Sequence, residues 1–356
     1  CFLPDAVSEA TLESLSNDLN NKDLFELSGS ELVESRLVHH QPGSSHYQVS
    51  FGPFETECLQ SGDMLMIQGL EQFSPAVADL LTGTFSFLPR WRIEDVMGTL
   101  GDEGANCGPH FDHYDVFLLQ IRGTKHWQIS NGPFREDQLI ADADLRLLAD
   151  FPVTSSLLQR PGDLLYIPPG VGHHGIASDD SLTLSVGLRN PTLPELLTNL
   201  TDFLLDDTTA ANPLTDGSQV TSPVITGTEL TQLQAPLLEA ISSPALSDWY
   251  GCYMTQLREP ELIEPDGSYV AADLDGLEGL SCSLPTRLCR LSGDVCFVNG
   301  EAYTVSDDED YPGWFDTLCT SRYLPRSALP SGTAGRTLLL KWLNLGALVP
   351  GRPNHN

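Results

Sequence analysis

Residues 108–129 read GPHFDHYDVFLLQIRGTKHWQI. Within them VFLLQI (116–121) has the length and composition of a buried strand, Arg122-Gly123 makes a turn, and HWQI (126–129) resumes as a second strand. Just ahead of the first strand, His110 and Asp112 stand at i and i+2. On extended backbone that spacing puts an imidazole and a carboxylate on one face. Outward from this stretch, residues 163–167 form a third strand ended by Pro168-Pro169-Gly170, and residues 182–188 a fourth. Short strands punctuated by Gly and Pro predict a closed or sandwiched β-structure.

The third strand and its turn bring a second imidazole, His173, toward the His-x-Asp pair. Two His and one Asp on converging strands occupy one face of an octahedron and leave three positions open, the arrangement of non-haem Fe(II) oxygenases. On spacing alone a plainer reading stands beside it, with His110 capping a turn and His173 lying in a loop. His174 is the alternative ligand, and His113 and His126 read as rim or core histidines or substrate contacts. Only three lysines occur, Lys22, Lys125 and Lys341. Lys125 shares a strand face with Trp127, and a buried ammonium needs an anionic partner. A dicarboxylate co-substrate chelating the iron would supply one; a lysine at a strand end reaching solvent is the alternative. Many 2-oxoglutarate enzymes carry Arg-x-Ser shortly after the distal His. Here Thr183 and Ser185 stand there, which leaves Lys125 as the available cation and Thr183 as a hydroxyl donor.

The 356 residues allow two or three domains. Leu12, Leu15 and Leu19 mark a helix face, residues 35–38 and 46–50 read as strands around Pro42-Gly43, and residues 57–90 read as helical. Thr192-Leu193-Pro194-Glu195 is a helix start, and a helical module over 192–262 contains a Ser/Thr/Pro-rich connection at 206–228. From 263 onward an Asn299-Gly300 hairpin and helices at 313–320 and 335–348 predict a small α+β domain. Acids outnumber bases in it, which argues against direct DNA binding. The net charge is −31. It repels phosphate backbones and anionic lipid and attracts a basic partner, and it equally fits adaptation to salt. No run of 18 apolar residues exists to span a membrane. The eight cysteines form no C-x-x-C and read as reduced thiols of a cytoplasmic protein. The first residues, Cys1-Phe2-Leu3-Pro4, show no signal peptide and leave open that residues are missing before Cys1.

The segments at 108–117, 123–127, 162–173 (GDLLYIPPGVGH) and 185–189 (SVGLR), with SRLV at 35–38 and GPFE at 52–55, resemble the JmjC-type ribosomal oxygenases, and among them the bacterial arginyl hydroxylases. The resemblance is strongest over 35–190. It implies an α+β chain: a double-stranded β-helix (cupin, jelly-roll) catalytic domain at 1–191, a helical dimerisation module at 192–262 and a winged-helix-like domain at 263–356. It also implies a cytoplasmic Fe(II)- and 2-oxoglutarate-dependent dioxygenase that uses O2 to hydroxylate an arginine of a basic large-subunit ribosomal protein, and a homodimer. A histidyl hydroxylase of the same superfamily and a non-catalytic metal-binding cupin module are the alternatives. The metal ligands carry over to His110, Asp112 and His173, and the far carboxylate of 2-oxoglutarate to Lys125, where the arginyl hydroxylases have Arg. Thr183 stands where they have Asn, and His174 where they have an acid. Thr99 reads as a further co-substrate contact. Asp102, Tyr114 and Asp115 read as substrate contacts, because a carboxylate and an aromatic face suit a guanidinium.

Overall fold

The computed structural model describes residues 1–40, 46–54, 60–206, 227–306, 308 and 310–351. The turn at Pro42-Gly43, Cys58 and most of the connection expected at 206–228 lie outside them. A short strand β1 (Phe2–Leu3) precedes helices α1 (Glu9–Asp18) and α2 (Asn21–Ser28). Each helix starts on a side-chain cap: Ser8 accepts from the Thr11 amide and Asn20 from the Asp23 amide. Then come β2 (Ser35–His40), β3 (Tyr47–Phe51), β4 (Met64–Ile67), α3 (Pro75–Thr82), β5 (Ile93–Gly101), β6 (Val116–Arg122) and β7 (Lys125–Ser130). They are followed by β8 (Ser155–Gln159), β9 (Leu164–Ile167), β10 (Gly172–Ala177) and β11 (Ser181–Leu188). The 57–90 segment expected to be helical therefore contains a strand. Met64-Leu65-Met66-Ile67 is apolar on both faces because both are covered, which erases the alternation that marks a half-exposed strand.

Two antiparallel sheets face one another. The larger has the order β1-β9-β6-β11-β5-β4-β2-β3 and the smaller β10-β7-β8. Between them pack Val116, Leu118, Leu165 and Ile167 from the larger sheet and Trp127, Ile129 and Leu157 from the smaller. The outer face of the larger sheet presents Leu65, Leu100, Leu119, Leu182 and Leu184 to α1–α3, whose Leu15, Leu24, Val77 and Leu80 complete the main core. This is the sandwiched β-structure expected from the short strands and turns, in the jelly-roll form that the resemblance implied. Strict alternation then settles what points inward. Asp95, Met97 and Thr99 of β5, Lys125 and Trp127 of β7, and Thr183, Ser185 and Gly187 of β11 all line one cavity of about 470 Å³.

Beyond the barrel run α4 (Leu193–Asp206), α5 (Gly227–Ile241) and α6 (Ala245–Thr255). The backbone amide and hydroxyl of Thr192 donate to Glu195 at 2.6 and 2.7 Å, so the helix starts where the sequence placed it. The last part holds β12 (Gly279–Cys282), β13 (Leu288–Arg290), β14 (Val295–Val298), β15 (Glu301–Thr304), α7 (Gly313–Ser321), β16 (Tyr323–Pro325), α8 (Thr333–Asn344) and β17 (Leu348–Pro350). Its two three-stranded sheets, β16-β12-β17 and β13-β14-β15, share a separate core around Phe315, Leu318, Leu339 and Trp342. Asn299 and Gly300 turn β14 into β15 with φ of 52° and 88°. The described cysteines are all free thiols. Among the described residues no helix is long and apolar enough to cross a membrane.

Candidate metal centre

His110 and His173 are brought together by their own backbones. The His110 amide donates to the His173 carbonyl at 3.0 Å and the His173 amide to the His110 carbonyl at 2.8 Å, while the Gly170 amide donates to the Asp112 carbonyl at 2.8 Å. The His-x-Asp segment thus adds an isolated antiparallel bridge next to β10; it is extended loop and not the full strand the spacing implied. One potential ligand atom each from His110, Asp112 and His173 lies within 4.8 Å of the others, the only such group of His, Cys, Asp or Glu among the described residues. His173 Nε2 stands 3.5 Å from Asp112 Oδ2.

The tautomers favour a metal. His110 Nδ1 sits 2.9 Å from the Gly108 carbonyl and His173 Nδ1 3.1 Å from the Val171 carbonyl. A carbonyl only accepts, so each Nδ1 carries a proton and each neutral ring keeps its Nε2 lone pair for an ion. Burial, helped by the charge of His110, pushes His173 down to about 4 and keeps it neutral. Burial pulls His110 the same way, but the Cys107 sulfur beside it, Asp112 and the Gly108 carbonyl together outweigh that and hold the ring up at about 10. An ion arriving at Nε2 competes with this proton, so metal binding releases it. A borderline-hard set of two imidazoles and one carboxylate fits Fe(II).

Across the cavity Lys125 is buried, 3% exposed. Its Nζ donates to Thr99 Oγ1 and Thr183 Oγ1, both at 3.1 Å, and Thr183 passes a hydrogen bond to Gln120 Oε1 at 2.8 Å. Burial lowers its pKa to about 8. No carboxylate among the described residues pairs with it. The alternative of a lysine reaching solvent does not hold. Trp127 lies beside it, the ring centroid 5.5 Å from Nζ, and a side chain on Gly175 would collide with that ring at 2.6 Å, so the wall needs glycine there. Lys125, Thr99 and Thr183, named separately from the sequence, form one hydrogen-bonded group.

The other site residues part company. Tyr114 lines the cavity mouth. Asp115 does not: it accepts from the Tyr166 hydroxyl at 2.6 Å, so its part is to fix the strand ends below the mouth. Asp102 is exposed in a turn and lies outside the cavity lining; its carbonyl closes the turn by accepting from the Ala105 amide at 3.0 Å. The sequence reading put both at the substrate because a carboxylate suits a guanidinium; neither lines the cavity, since spacing near the metal segment does not fix which face a side chain takes. His174 is turned from the ion site to Asn106 Oδ1 at 3.0 Å, because alternation along β10 puts it on the face opposite His173. His113 is at the rim, paired with Glu136 at 2.5 Å. The sequence reading missed Asp95, a half-buried carboxylate at the mouth, and Cys107. Alternation of Asp95, Met97 and Thr99 is the signal that finds the first, but the sequence reading identified no strand over 93–101.

Comparison with known proteins agrees. The JmjC domain family matches residues 80–196. The ribosomal protein uL16 3-hydroxylase of Escherichia coli is 32% identical over 280 residues, 76% of this chain and 74% of that one. An X-ray structure of E. coli YcfD superposes with a TM-score of 0.86 at 27% identity, covering 99% of this chain and 94% of that one. The structure of YcfD, a ribosomal oxygenase, in complex with cobalt and 2-oxoglutarate gives 0.83 at 27% identity, covering 99% of this chain and 94% of that one. A barrel closed over one His-Asp-His face, in a chain whose likeness to these proteins continues far beyond the barrel, therefore belongs to the JmjC-domain ribosomal oxygenases and is an enzyme of that family.

Proposed function

We propose that the chain is an Fe(II)- and 2-oxoglutarate-dependent hydroxylase of an arginine side chain in a basic large-subunit ribosomal protein. The observation that carries this reading is the buried Lys125 ammonium facing the His-Asp-His group across one cavity with no carboxylate of its own. A dicarboxylate that reaches the ion with its oxo-acid end can place its far carboxylate on Lys125, with Thr99 and Thr183 holding the ammonium in line. The cobalt and 2-oxoglutarate complex of YcfD supports the same pairing of ligands. Bound iron supplies activation of O2, decarboxylation of 2-oxoglutarate to succinate and CO2, and insertion of oxygen into an unactivated C–H bond. The chain's own groups do the rest. His110, Asp112 and His173 hold the ion; Lys125 orients the co-substrate; Trp127 and the small-sheet side chains exclude water.

The arginine preference rests on the mouth. Asp95 and Tyr114 offer a carboxylate and an aromatic face side by side, which suits a planar cation. The net charge of −31 would steer a basic protein toward it. Roles follow for the three parts: catalysis at 1–191, dimerisation at 192–262, and a winged-helix-like fold at 263–356, built as helices packed on short strands with an Asn-Gly hairpin for the wing. Leu193, Leu197, Leu205, Leu237 and Leu238 of α4 and α5 are more than half exposed, and a second copy of the chain would cover them. Leu197→Asp with Leu237→Asp should then halve the mass seen by light scattering. A ribosomal-protein substrate supports a cytoplasmic enzyme.

The deciding experiment supplies Fe(II), 2-oxoglutarate and arginine-containing basic ribosomal-protein peptides. It follows succinate and locates the added oxygen by mass spectrometry, with Asp112→Ala as the control. Peptide-stimulated succinate and oxygen on arginine are expected. Oxygen on histidine would make the chain a histidyl hydroxylase, and no succinate above the Asp112→Ala background would leave a metal-binding cupin module.

A further inference from the structure

Arg258 lies in the segment after α6, outside the barrel. Its Nη1 donates to Asp95 Oδ2 at 2.9 Å and its Nη2 stands 3.2 Å from Glu34 Oε2. Arg258 does not line the cavity, whereas Asp95, Gly187 and Tyr114 do. The other Asp95 oxygen, Oδ1, is the one turned toward them. A Cβ built on Gly187 would stand 3.5 Å from Oδ1 and 3.4 Å from the Tyr114 ring. One oxygen is thus tied down from outside while its twin faces in.

We propose that Arg258 is a positioning residue for the substrate: it fixes the Asp95 carboxylate from behind, so that the second oxygen is presented to a cationic side chain entering beside Tyr114. This rests on reading the mouth as the seat of a guanidinium. The surroundings show why a tie is needed. Glu71 approaches Asp95 from the turn at Leu70–Gln72, where it accepts from the Val96 amide at 2.8 Å and pairs with Arg90 at 3.7 Å. Glu94 is the chain neighbour and pairs with Arg189 at 3.2 Å. Arg287, ahead of β13, donates to the carbonyl of Ile93 at 3.0 Å and to that of Glu94. Tyr114 faces Asp95 from the cavity side, and Glu34 lies beyond Arg258. Burial pushes the Asp95 carboxyl up to about 7, with Glu71 and Glu94 adding to it and Arg258 opposing them. Without Arg258 the proton wins at neutral pH, and a neutral carboxyl cannot make a charge-assisted bond to a guanidinium.

The test uses the full chain with Arg258→Gln, Arg258→Lys and Glu34→Gln. Carbon-detected NMR follows the Asp95 carboxyl, assigned by its loss in Asp95→Asn. Arg258→Gln should raise its midpoint by about one pH unit, which from a starting value of about 7 corresponds to about a fivefold higher peptide KM at pH 7 with kcat little changed. The gap should close by pH 9. Arg258→Lys should recover part of both shifts, and it serves as the readout if Arg258→Gln does not fold. Glu34→Gln removes the charge from the other arm of Arg258, keeps the Asp95 contact and should leave the Asp95 midpoint in place. An unmoved midpoint in Arg258→Gln, or an equal shift in Glu34→Gln, overturns the proposal. If the wild-type enzyme puts no oxygen on arginine, the arginine reading falls, while the carboxyl titration still decides for or against Arg258.

Discussion

At the floor of the cavity one ammonium, Lys125, is held by two hydroxyls and no acid; at the mouth a carboxylate, Asp95, is already tied to an arginine. On the proposed function the floor would gain an anion when the co-substrate arrives, and nothing in the protein must be displaced for that. The mouth presents the spare oxygen of a carboxylate whose other oxygen is spoken for. Burial works against charge at both ends, lowering Lys125 to about 8 and raising Asp95 to about 7. Each end answers with different neighbours. A small, fixed co-substrate suits the first arrangement, and a side chain arriving on a protein suits the second.

The largest effect should come from the ion that joins the two ends. Asp112→Ala removes the one acidic ligand, and succinate formation should fall by roughly three orders of magnitude. Activity within tenfold of wild type would mean that neither end serves this ion. Next comes the floor. Lys125→Ala removes a charge-assisted bond to the co-substrate of about 2–3 kcal/mol, so the KM for 2-oxoglutarate should rise about a hundredfold, with the peptide KM little changed. In the wild type, affinity for 2-oxoglutarate should fall as pH rises through about 8, where the ammonium loses its proton. A co-substrate affinity flat from pH 7 to 9.5 would break that account.

Asp95→Asn tests the mouth. The peptide KM should rise about tenfold at pH 8 and less at pH 6, where the wild-type carboxyl is itself mostly protonated. Stability should move the other way. The folded value near 7 lies above the ordinary 3.8, so the folded state binds the extra proton between them, and Asp95 makes the protein less stable as pH rises from about 4 to about 7. Urea unfolding at pH 5 and pH 8 should show a smaller difference in Asp95→Asn than in wild type. An unchanged difference would place the charge penalty elsewhere.

The contrast also explains what could be read from the chain alone. The floor was legible because scarcity and alternation act locally. Lys125 is one of three lysines, two residues from Trp127 on a strand that announces itself, and Thr183 stands where many 2-oxoglutarate enzymes carry the Arg of Arg-x-Ser. The metal group was legible because a His-x-Asp pair and a Pro-Pro-Gly turn before His173 are compact signals. The mouth was not. Asp95 is tied to Arg258 across 163 residues, and Glu34 to the same arginine across 224. No local pattern encodes such pairs, and the sequence reading named Asp102 and Asp115 and passed over Asp95. The β4 strand was lost for a related reason: covered on both faces, its four residues carry no periodicity.

The smallest expected effect lies behind the metal loop and touches neither end. Asn106 is 3% exposed, and its Oδ1 accepts from the Tyr47 hydroxyl at 2.6 Å, the Gly108 amide at 3.0 Å and His174 Nε2 at 3.0 Å. Its Nδ2 donates to the Gly104 carbonyl at 2.9 Å. Those bonds hold Gly108, with φ of 78°, where its carbonyl receives the His110 Nδ1 proton. Asn106→Ala frees that carbonyl to drift and loosens the His110 ring, so Fe(II) affinity should weaken about tenfold, as for other groups that orient a metal-bound histidine. At saturating iron both KM values should return to wild type, because Lys125 and Asp95 are hydrogen-bonded elsewhere. A peptide KM that stays high when iron is saturating would show that the metal loop also shapes the mouth, and the two ends could no longer be treated as independent.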